Sequence, residues 1–363
     1  MTDTISRKNF LKLGSAFAVS SMWFPSLILP KKRDKLGVAL VGLGNYSTGR
    51  LAPGLQKTDH CELRGIVTGT PSKIPEWQEQ YGIPDRNVYN YENMHEIANN
   101  DDIDIIYSVT PPGKHARDSI AGAEAGKHVW CEKPMAMDLD ECQAIVDAAE
   151  KNRVHLSMGH RMHHEPNTQT LIRYGREQTY GAVREVSCGA GFRGSWQEND
   201  WRLTAALGGG ALYDMGVYPI NAARHMTGKE PVAVTGKQRA DRTEMFREVD
   251  EYTEFELEFP DGIFARCETS FGDSMNYLEV TCTDGWYRLQ PFQSYTRVQG
   301  ETSSGTELPE DPDHQQARQM NNEALAIKEG RSAVVPGQDG LEDIRIVRAI
   351  MQSAQNGGSR VEL

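Results

Sequence analysis

The sequence predicts an α/β chain of two domains: an N-terminal parallel sheet flanked by helices, and a C-terminal α+β domain on a large, open-faced mixed or antiparallel sheet. From Leu36 onward, short apolar runs alternate with helix-period segments, as in repeated strand–helix–strand units. After Gly159 the hydrophobic period changes to two, which is the period of a strand with one buried face. We therefore place the domains at residues 36–158 and 159–363, after a separate segment of residues 1–35.

The composition is that of an ordinary globular protein, with 25% charged and 38% hydrophobic residues among 363. A formal net charge of −12 would repel nucleic acid and anionic lipid headgroups, so the expected partner is a small neutral molecule. The six cysteines form no Cys-x-x-Cys pair and are expected to be buried free thiols. His160, His163 and His164 lack the spacing of a metal site, so we predict no metal.

Residues 1–35 resemble an export signal. The stretch Ser-Arg-Lys-Asn-Phe-Leu-Lys at residues 6–12 precedes an uncharged run over residues 13–30, as in twin-arginine signals, with lysine in place of the second arginine. Such signals carry proteins that fold before export, often around a cofactor, which predicts a periplasmic location. The alternative is an ordered arm that packs on a neighbouring subunit of a cytoplasmic protein. Whether the segment is cleaved is left open.

The motif Gly-Leu-Gly-Asn-Tyr-Ser at residues 42–47 directly follows the first predicted strand. Two glycines allow a tight turn and let backbone amides approach a pyrophosphate at the start of the next helix. Ser47 replaces the third glycine of the usual fingerprint and is small enough for close helix packing. The motif predicts a dinucleotide bound in a Rossmann fold, with contacts from Gly42, Gly44, Asn45 and Tyr46.

The segment after the second predicted strand favours NADP over NAD. An NAD-specific domain commonly places an acidic residue there for the adenosine ribose, whereas residues 69–73 of this chain read Gly-Thr-Pro-Ser-Lys. Because no carboxylate would repel a 2′-phosphate, the Ser72 hydroxyl and the Lys73 charge can bind it, with Thr70 beside them. NAD remains the alternative, with Lys73 then a solvated loop residue.

Two more loops are predicted at carboxyl ends of parallel strands, where the ligand of such a sheet lies. The fourth strand ends in Thr-Pro-Pro-Gly-Lys-His at residues 110–115, which places a rigid loop over the ribose next to the nicotinamide. The apolar run at residues 128–131 ends in Glu-Lys-Pro, so Lys133 faces the cofactor and is the first catalytic candidate. The predicted cofactor contacts from these loops are Thr110, Pro111, His115, Glu132 and Lys133.

The C-terminal half contains a clear hairpin. Residues 251–259 alternate between apolar and polar side chains. Residues 263–271 follow a Pro-Asp-Gly turn and are predicted to pair with them as the second strand of the hairpin. An open sheet of this kind has a second face that must also be covered. Pairing of two subunits through that face would bury it. We therefore expect a homodimer or homotetramer.

A second group of polar residues follows the domain boundary. Asp214 and Tyr218 are four residues apart, so on a helix they share one face. An ordinary capped helix with a core tyrosine is the alternative. Together with Lys133 they would form an acid–base group, because a free tyrosine has a pKa of about 10 and needs a nearby cation to act as a base near neutrality.

Five short motifs together resemble the glucose-fructose oxidoreductase branch of the Gfo/Idh/MocA family. They are Gly-Leu-Gly-Asn-Tyr at 42–46, Cys-Glu-Lys-Pro at 131–134, Gly-His-Arg-Met-His-His-Glu-Pro at 159–166, Trp-Arg-Leu at 201–203 and Asp-Met-Gly-Val-Tyr at 214–218. The resemblance covers the chain from about Leu36 to its end. It implies a Rossmann domain paired with an open-faced sheet domain, and activity on sugars or polyols.

The resemblance also implies roles for single residues. Lys133 would lie beside the nicotinamide, Tyr218 would transfer the proton and Asp214 would fix the substrate. The cleft would be lined by Trp201 and Arg202, with Arg161 assigned to the cofactor and His164 to the substrate. The glucose-fructose oxidoreductase branch has tyrosines where His160 and His164 stand here, so the resemblance does not fix the sugar.

The leading hypothesis is hydride transfer from C1 of a pyranose to C4 of the nicotinamide, with the hydroxyl proton taken by Tyr218. Because a periplasm offers no pool of free NADP, an exported enzyme would keep its nucleotide and regenerate it by reducing a second sugar. Two alternatives remain. One is an NAD-dependent glycosidase that oxidises its sugar transiently, and the other is a non-catalytic sugar-binding protein on an enzyme fold.

Overall fold

The structure is a computed structural model that describes residues 34–363. The predicted export signal therefore lies outside the described residues, apart from its last two positions. Residues 35–363 form one compact unit, in which the described strands make two sheets. In the part of the chain that the structure describes, no helix is long and apolar enough to cross a membrane.

The first sheet is the predicted Rossmann-type sheet. Its strands are β1 (Leu36–Val41), β2 (Cys61–Val67), β3 (Val88–Tyr89), β4 (Ile105–Ser108), β5 (His128–Glu132) and β6 (Leu156–Gly159). They lie in the order β3-β2-β1-β4-β5-β6, and every neighbouring pair is parallel. The strand order reverses between β1 and β4, which leaves a crevice for a ligand at their carboxyl ends.

Helices cover this sheet as the periodic segments predict. They are α1 (Ala52–Leu55), α2 (Ile74–Tyr81), α3 (His115–Glu124) and α4 (Leu139–Asn152). A π-helical turn, Ser47–Leu51, joins the glycine motif to α1. The Asp138 side chain caps α4 by accepting a hydrogen bond from the Glu141 N–H at 2.9 Å. The sheet core is apolar, with Val38, Leu40 and Ile66 fully buried.

The second sheet is mixed, as predicted. Its strands are β7 (Val183–Gly191), β8 (Ala233–Arg239), β9 (Tyr252–Glu258), β10 (Phe264–Ser270), β11 (Met275–Cys282), β12 (Trp286–Leu289), β13 (Gly300–Thr302), β14 (Glu307–Leu308) and β15 (Val361–Glu362). Their order is β14-β13-β12-β11-β7-β10-β9-β8-β15. Strands β7 and β10 are parallel, and the remaining neighbours are antiparallel. The predicted hairpin is confirmed as β9 and β10.

Three helices pack on one face of the second sheet: α5 (Pro166–Glu177), α6 (Val217–Thr227) and α8 (Gly337–Gln355). The period-two pattern of β9 follows from this packing, because Thr253, Phe255 and Leu257 are buried while Glu254 and Glu256 on the other face are not. All six cysteines are buried and free, as expected.

One helix near the end of the chain returns to the first sheet. Helix α7 (Gln315–Glu329) contributes Met320 and Ala324 to the apolar cluster around β1 and β2. Its Asn321 side-chain oxygen accepts hydrogen bonds from the N–H groups of Asp59 and His60, at 2.8 and 3.0 Å. The predicted boundary at Gly159 assigned α7 to the second domain, whereas the helix packs on the core of the first sheet. An amphipathic pattern shows that a helix has a buried face, but it does not show which core that face joins.

Candidate active site

A cleft with two lobes lies at the carboxyl ends of the Rossmann strands. The first lobe has a volume of about 470 Å³ and follows the glycine motif. The second lobe, of about 860 Å³, extends along the second sheet. The two lobes share five residues: Lys133, Arg202, Asp214, Tyr218 and Tyr295. All three predicted catalytic residues therefore lie where the lobes meet.

Lys133 follows directly after β5, so the parallel sheet itself carries its side chain to the cleft. Its Nζ atom donates hydrogen bonds to the Asp214 backbone oxygen at 2.8 Å and to Asp214 Oδ1 at 3.4 Å. It also lies 4.7 Å from the centre of the Tyr218 ring. Burial opposes the charge, but Tyr218 and Asp214 outweigh it and raise the pKa of Lys133 to about 12. Lys133 therefore stays positively charged near neutral pH.

Asp214 holds two cations at the junction of the lobes. It is 7% exposed and lies in a π-helical turn, Leu212–Gly216, immediately before α6. Its Oδ2 atom accepts a hydrogen bond from Arg202 Nε at 2.8 Å, while its Oδ1 atom faces Lys133. Burial alone would raise the pKa of Asp214, but Lys133 and Arg202 reverse this and lower it. The carboxylate therefore orients both cations.

Tyr218 stands at the start of α6 with only 6% of its surface exposed. Its ring faces cations on two sides, Lys133 at 4.7 Å and Arg161 at 5.4 Å. His160 packs edge-on against it at 5.5 Å. The predicted proximity of Asp214 and Tyr218 is present, although the turn between them is π-helical rather than a continuous α-helix.

The glycine motif has the shape that a pyrophosphate requires. Gly42 has a φ of 95°, and a Cβ there would lie 3.0 Å from the Thr110 methyl carbon, so only glycine fits. A Cβ on Gly44 would meet nothing within 4 Å, which leaves the mouth of the lobe open. The Ser47 hydroxyl closes the turn by donating to Gly42 O at 2.6 Å. The residues present therefore fit a dinucleotide.

The adenosine end of the first lobe carries a cation. Thr70 and Lys73 line it, and Lys73 Nζ donates to Leu43 O at 2.6 Å, directly at the glycine turn. Among the described residues, the carboxylates that line this lobe belong to Glu132, Asp200 and Asp214. The last two both pair with Arg202, which lies where the lobes meet. Ser72 is exposed in the turn before α2 and is not part of the lining that the structure describes.

The loop after β4 is held rigidly beside the lobe. Thr110, Pro111 and His115 line the cleft as predicted. His115 is buried, with Nε2 at 2.6 Å from Thr110 O and Nδ1 at 2.8 Å from Pro134 O. Burial lowers the pKa of His115, and a neutral ring donates through only one nitrogen. Since its nitrogens face protein carbonyls, His115 fixes the loop rather than offering a free group to a ligand.

Glu132 is a buried carboxyl at the floor of the first lobe, 5% exposed. Tyr107 donates a hydrogen bond to Glu132 Oε1 at 2.6 Å, and the Lys133 N–H donates to Oε2 at 3.2 Å. Burial raises the pKa of Glu132 to about 7, against the opposing effects of Tyr107 and Lys133. Its charge therefore changes near neutrality.

Arg161 is placed differently from the prediction. It is 2% exposed and lies behind the cleft, where its guanidinium donates to the backbone oxygens of Gln293 and Ser294 and to the side chain of Gln315. Its Cζ atom is 4.6 Å from the centre of the Tyr295 ring. Its Nη1 and Nη2 groups are turned towards these oxygens, and Arg161 is not part of the described lining of the first lobe, so its predicted cofactor contact is not supported.

His164 does not line the cleft in the described part of the chain, so its predicted substrate contact is not supported. It is buried against α7, with Nδ1 at 3.2 Å from Asn322 Nδ2 and Nε2 at 3.6 Å from Glu323 Oε1. Burial lowers the pKa of His164 to about 4. The side chain is directed away from the cleft because the 3₁₀ turn Arg161–His164 sends successive side chains to different sides.

His163, His225 and Asp339 place possible metal-ligand atoms within 4.8 Å of one another. These atoms already take part in hydrogen bonds. His163 Nε2 lies 2.7 Å from Asn221 Oδ1, and His225 Nε2 lies 2.9 Å from Asp339 Oδ1. Asn221 Nδ2 in turn donates to Asp339 Oδ2 at 2.9 Å. The network therefore ties α6 to α8.

Trp201 and Arg202 lie at the cleft as predicted, and Arg202 Cζ is 4.5 Å from the centre of the Trp201 ring. No motif predicted the loop between β12 and β13, which forms much of the second lobe. This loop includes Tyr295, which faces Arg50 from the glycine-motif helix at 4.4 Å. The loop has no hydrophobic period, so nothing in the sequence marks it.

Comparisons with known proteins agree with this architecture. Residues 36–160 match the model of an oxidoreductase family with an NAD-binding Rossmann fold, and residues 168–288 match the GFO/IDH/MocA C-terminal domain. A crystal structure of aldose-aldose oxidoreductase from Caulobacter crescentus, complexed with glycerol, is similar with a TM-score of 0.87 and 37% identity. That similarity covers 91% of this chain and 100% of the Caulobacter chain.

Two curated relatives are named as D-xylose 1-dehydrogenases. The D-xylose 1-dehydrogenase [NADP(+)] of Haloarcula marismortui is 26% identical over 334 residues, covering 87% of this chain and 90% of its own. The D-xylose 1-dehydrogenase (NADP(+)) 2 of Haloferax volcanii is 28% identical over 332 residues, covering 89% and 98%. With both family models matched and the cleft assembled as described, the chain belongs to the Gfo/Idh/MocA family of nicotinamide-dependent oxidoreductases.

Proposed function

We propose that this protein is an NADP-dependent sugar oxidoreductase that transfers hydride between C1 of a pyranose and the nicotinamide. The observation that carries this proposal is the position of Lys133, whose ammonium lies between the two lobes and against both Asp214 and Tyr218. The names of the Haloarcula and Haloferax relatives support NADP and an aldose oxidised at C1. The name of the Caulobacter relative supports an aldose substrate.

When bound, the nicotinamide ring supplies the hydride acceptor. Gly42 and Gly44 would hold the cofactor that takes the hydride from C1. Tyr218 would take the proton of the anomeric hydroxyl, and the sugar, having lost a hydride and a proton, would leave as its lactone. The Lys133 ammonium, 4.7 Å from the centre of the Tyr218 ring, supplies the cation beside the tyrosine in this proton transfer. Asp214 keeps Lys133 in place and is positioned to bind a sugar hydroxyl at the shared end of the lobes.

The choice of NADP rests on the adenosine end of the first lobe. Lys73 stands at the glycine turn, whereas Asp200 and Asp214, which also line the lobe, both pair with Arg202. A cation without a competing carboxylate favours a 2′-phosphate. With NAD bound, the Lys73 ammonium would keep the Leu43 carbonyl as its hydrogen-bond acceptor among the described residues and would gain no phosphate.

We further propose that the protein is exported to the periplasm and retains its nucleotide there. Reduction of a second sugar would then regenerate the oxidised cofactor. The name of the Caulobacter relative, which gives aldoses on both sides of the reaction, supports this step. A cytoplasmic protein would instead exchange its cofactor with the cellular pool.

We also propose a homodimer or homotetramer formed through the second sheet. The face opposite the helices presents partly buried or exposed polar side chains around a depression of about 520 Å³. Tyr252 and Tyr277 both donate hydrogen bonds to Glu268 there, at 2.9 and 2.7 Å. Such an ordered polar face is suited to a second copy of the chain. Light scattering of the purified protein tests this proposal.

One experiment separates the functional alternatives. The purified protein is denatured to identify any released nucleotide, and the native protein is assayed with aldoses, aldose pairs and aryl glycosides at the nicotinamide absorbance band. Released NADP and aldose turnover without added cofactor are expected. Strict dependence on added NADP would reject cofactor retention, release of reducing sugar from a glycoside would indicate the glycosidase, and sugar binding without nicotinamide reduction would reject an enzyme.

A further inference from the structure

The outer half of the second lobe is basic, although the whole chain has a formal net charge of −12. Four basic side chains and one carboxylate line this lobe among the described residues: Arg50, Lys133, Arg202, Arg297 and Asp214. A strong local excess of one charge in an otherwise acidic protein favours a ligand of the opposite charge.

Two of the four cations are neutralised at the catalytic end. Lys133 and Arg202 both form ion pairs with Asp214, at 3.4 and 2.8 Å, and Arg202 also pairs at 3.4 Å with Asp200, which lies outside the lining of this lobe. Their charge is therefore used in orienting the acid–base group. The remaining two cations, Arg50 and Arg297, account for the excess.

Arg50 and Arg297 form no ion pair with a carboxylate within the described residues. The guanidinium of Arg50 is placed by the Tyr295 ring, whose centre lies 4.4 Å from its Cζ atom. Arg297 is exposed two residues beyond Tyr295, and Glu310 accepts a hydrogen bond from its backbone N–H at 3.0 Å. The lobe therefore ends in two guanidinium groups around one tyrosine.

The cofactor does not explain these two arginines. Neither Arg50 nor Arg297 lines the first lobe in the described chain, where Lys73 stands at the adenosine end. The lobes share only the catalytic end and Tyr295 among their described lining, so a sugar oxidised at C1 in the second lobe would have C1 near Tyr218 and its far end towards the arginines. Asn276 and Gln293 offer neutral hydrogen-bonding groups along the wall between them.

We propose that the second lobe binds an aldose that carries an anionic group, a carboxylate or a phosphate, at the end remote from C1. This inference rests on the proposed sugar oxidoreductase activity and extends it to a substrate class. Arg297 is the principal anion-binding residue and Arg50, held by Tyr295, is the second. A guanidinium binds either anion through paired N–H groups.

The test compares sugars that share the reacting carbon. The NADP-loaded protein is assayed with D-glucose, D-glucuronate and D-glucose 6-phosphate, and kcat/KM is measured for each at low and at raised ionic strength. At least one anionic sugar is expected to exceed glucose by about 10- to 100-fold, as for a charge-assisted hydrogen bond. A preference for glucuronate assigns a sugar acid, and a preference for the phosphate assigns a sugar phosphate.

Arg297→Gln is expected to lower the ratio of kcat/KM for the anionic sugar over glucose by about 10-fold, whereas the matched variant Arg360→Gln, at an exposed ion pair outside the cleft, should retain the wild-type ratio. Salt should lower the same ratio in the wild type. If glucose is oxidised while neither anionic sugar is preferred, the anionic subsite is rejected and the proposed function stands.

Calorimetric titration of the NADP-loaded protein covers the case in which no sugar is oxidised. D-Glucuronate and D-glucose 6-phosphate are titrated into wild type and Arg297→Gln. Binding that Arg297→Gln weakens would support the subsite while the proposed catalytic activity fails. Absence of binding by both anionic sugars would reject the subsite as well.

Discussion

The Nζ atom of Lys133 lies 2.8 Å from the backbone oxygen of Asp214, a residue 81 positions further along the chain. The first residue follows a strand of the Rossmann sheet and the second lies in the turn before α6, which packs on the other sheet. This hydrogen bond therefore joins the cofactor side of the cleft to the substrate side.

Replacement of Lys133 by methionine should remove the cation without removing the packing of the side-chain stem. We expect kcat to fall by about 10²- to 10⁴-fold, the usual contribution of acid–base catalysis, because the acid–base group loses the cation that lies against the Tyr218 ring. Stopped-flow measurement of nicotinamide reduction with bound cofactor is the test. The matched control is Lys229→Met, at a half-exposed ion pair with Asp261. Near-normal turnover in Lys133→Met would contradict the proposed role.

Asp214→Asn should destabilise the protein in a pH-dependent way. The pKa of Asp214 is lowered in the folded state, so its contribution to the free energy of unfolding is fully present above its unfolded pKa, about 3.9, and is lost as the pH falls through the lower folded pKa. Removing one partner of such a buried pair costs about 3–5 kcal/mol.

Urea unfolding of wild type and Asp214→Asn from pH 3 to pH 8 measures this difference. The gap between the two proteins should be constant above about pH 4 and shrink below it. Asp261→Asn, at an exposed ion pair, serves as the control and should change the free energy of unfolding by about 0–1 kcal/mol. A gap that stays unchanged at acid pH would show that Asp214 is not stabilised as a carboxylate.

Glu132→Gln should flatten the pH dependence of stability near neutrality. The folded pKa of Glu132 is raised to about 7, so between its unfolded pKa of about 4.3 and pH 7 the unfolded state binds fewer protons than the folded state. Stability from this group is therefore present at low pH and is lost as the pH rises through 7. The slope of unfolding free energy against pH is the measurement, because the substitution can also shift the absolute value through the Tyr107 and Lys133 contacts. An equal slope in both proteins between about pH 4.3 and pH 7 would contradict a Glu132 side chain that stays protonated in the folded state over that range.

Lys73→Gln should reduce the preference for NADP. Loss of one charge-assisted hydrogen bond to a phosphate costs about 1.5–3 kcal/mol, so the ratio of NADP to NAD affinity should fall by at least about 10-fold. Affinities are measured by fluorescence titration of protein that has been unfolded, freed of nucleotide and refolded. Lys57→Gln, on the loop after α1, is the control. An unchanged ratio would indicate that the 2′-phosphate binds elsewhere.

The sequence correctly predicted the features that follow from local periodicity and from motifs at strand ends. The glycine motif after β1 and the lysine after β5 could be placed together because parallel strands bring their carboxyl ends to one edge. The hairpin of β9 and β10 followed from a period of two. Asp214 and Tyr218 were linked by their spacing even though the turn between them is π-helical.

Contacts between distant segments were decided only by the tertiary structure. Arg161 and His164 belong to the same motif at residues 159–166, yet Arg161 supports the tyrosines and His164 packs on α7. The direction of a side chain in a 3₁₀ turn depends on what packs around it. Tyr295 reaches the cleft from a loop without any periodic pattern. The chain alone thus determined which strands and motifs form, since these depend on neighbours in sequence, and folding determined which distant side chains share the cleft.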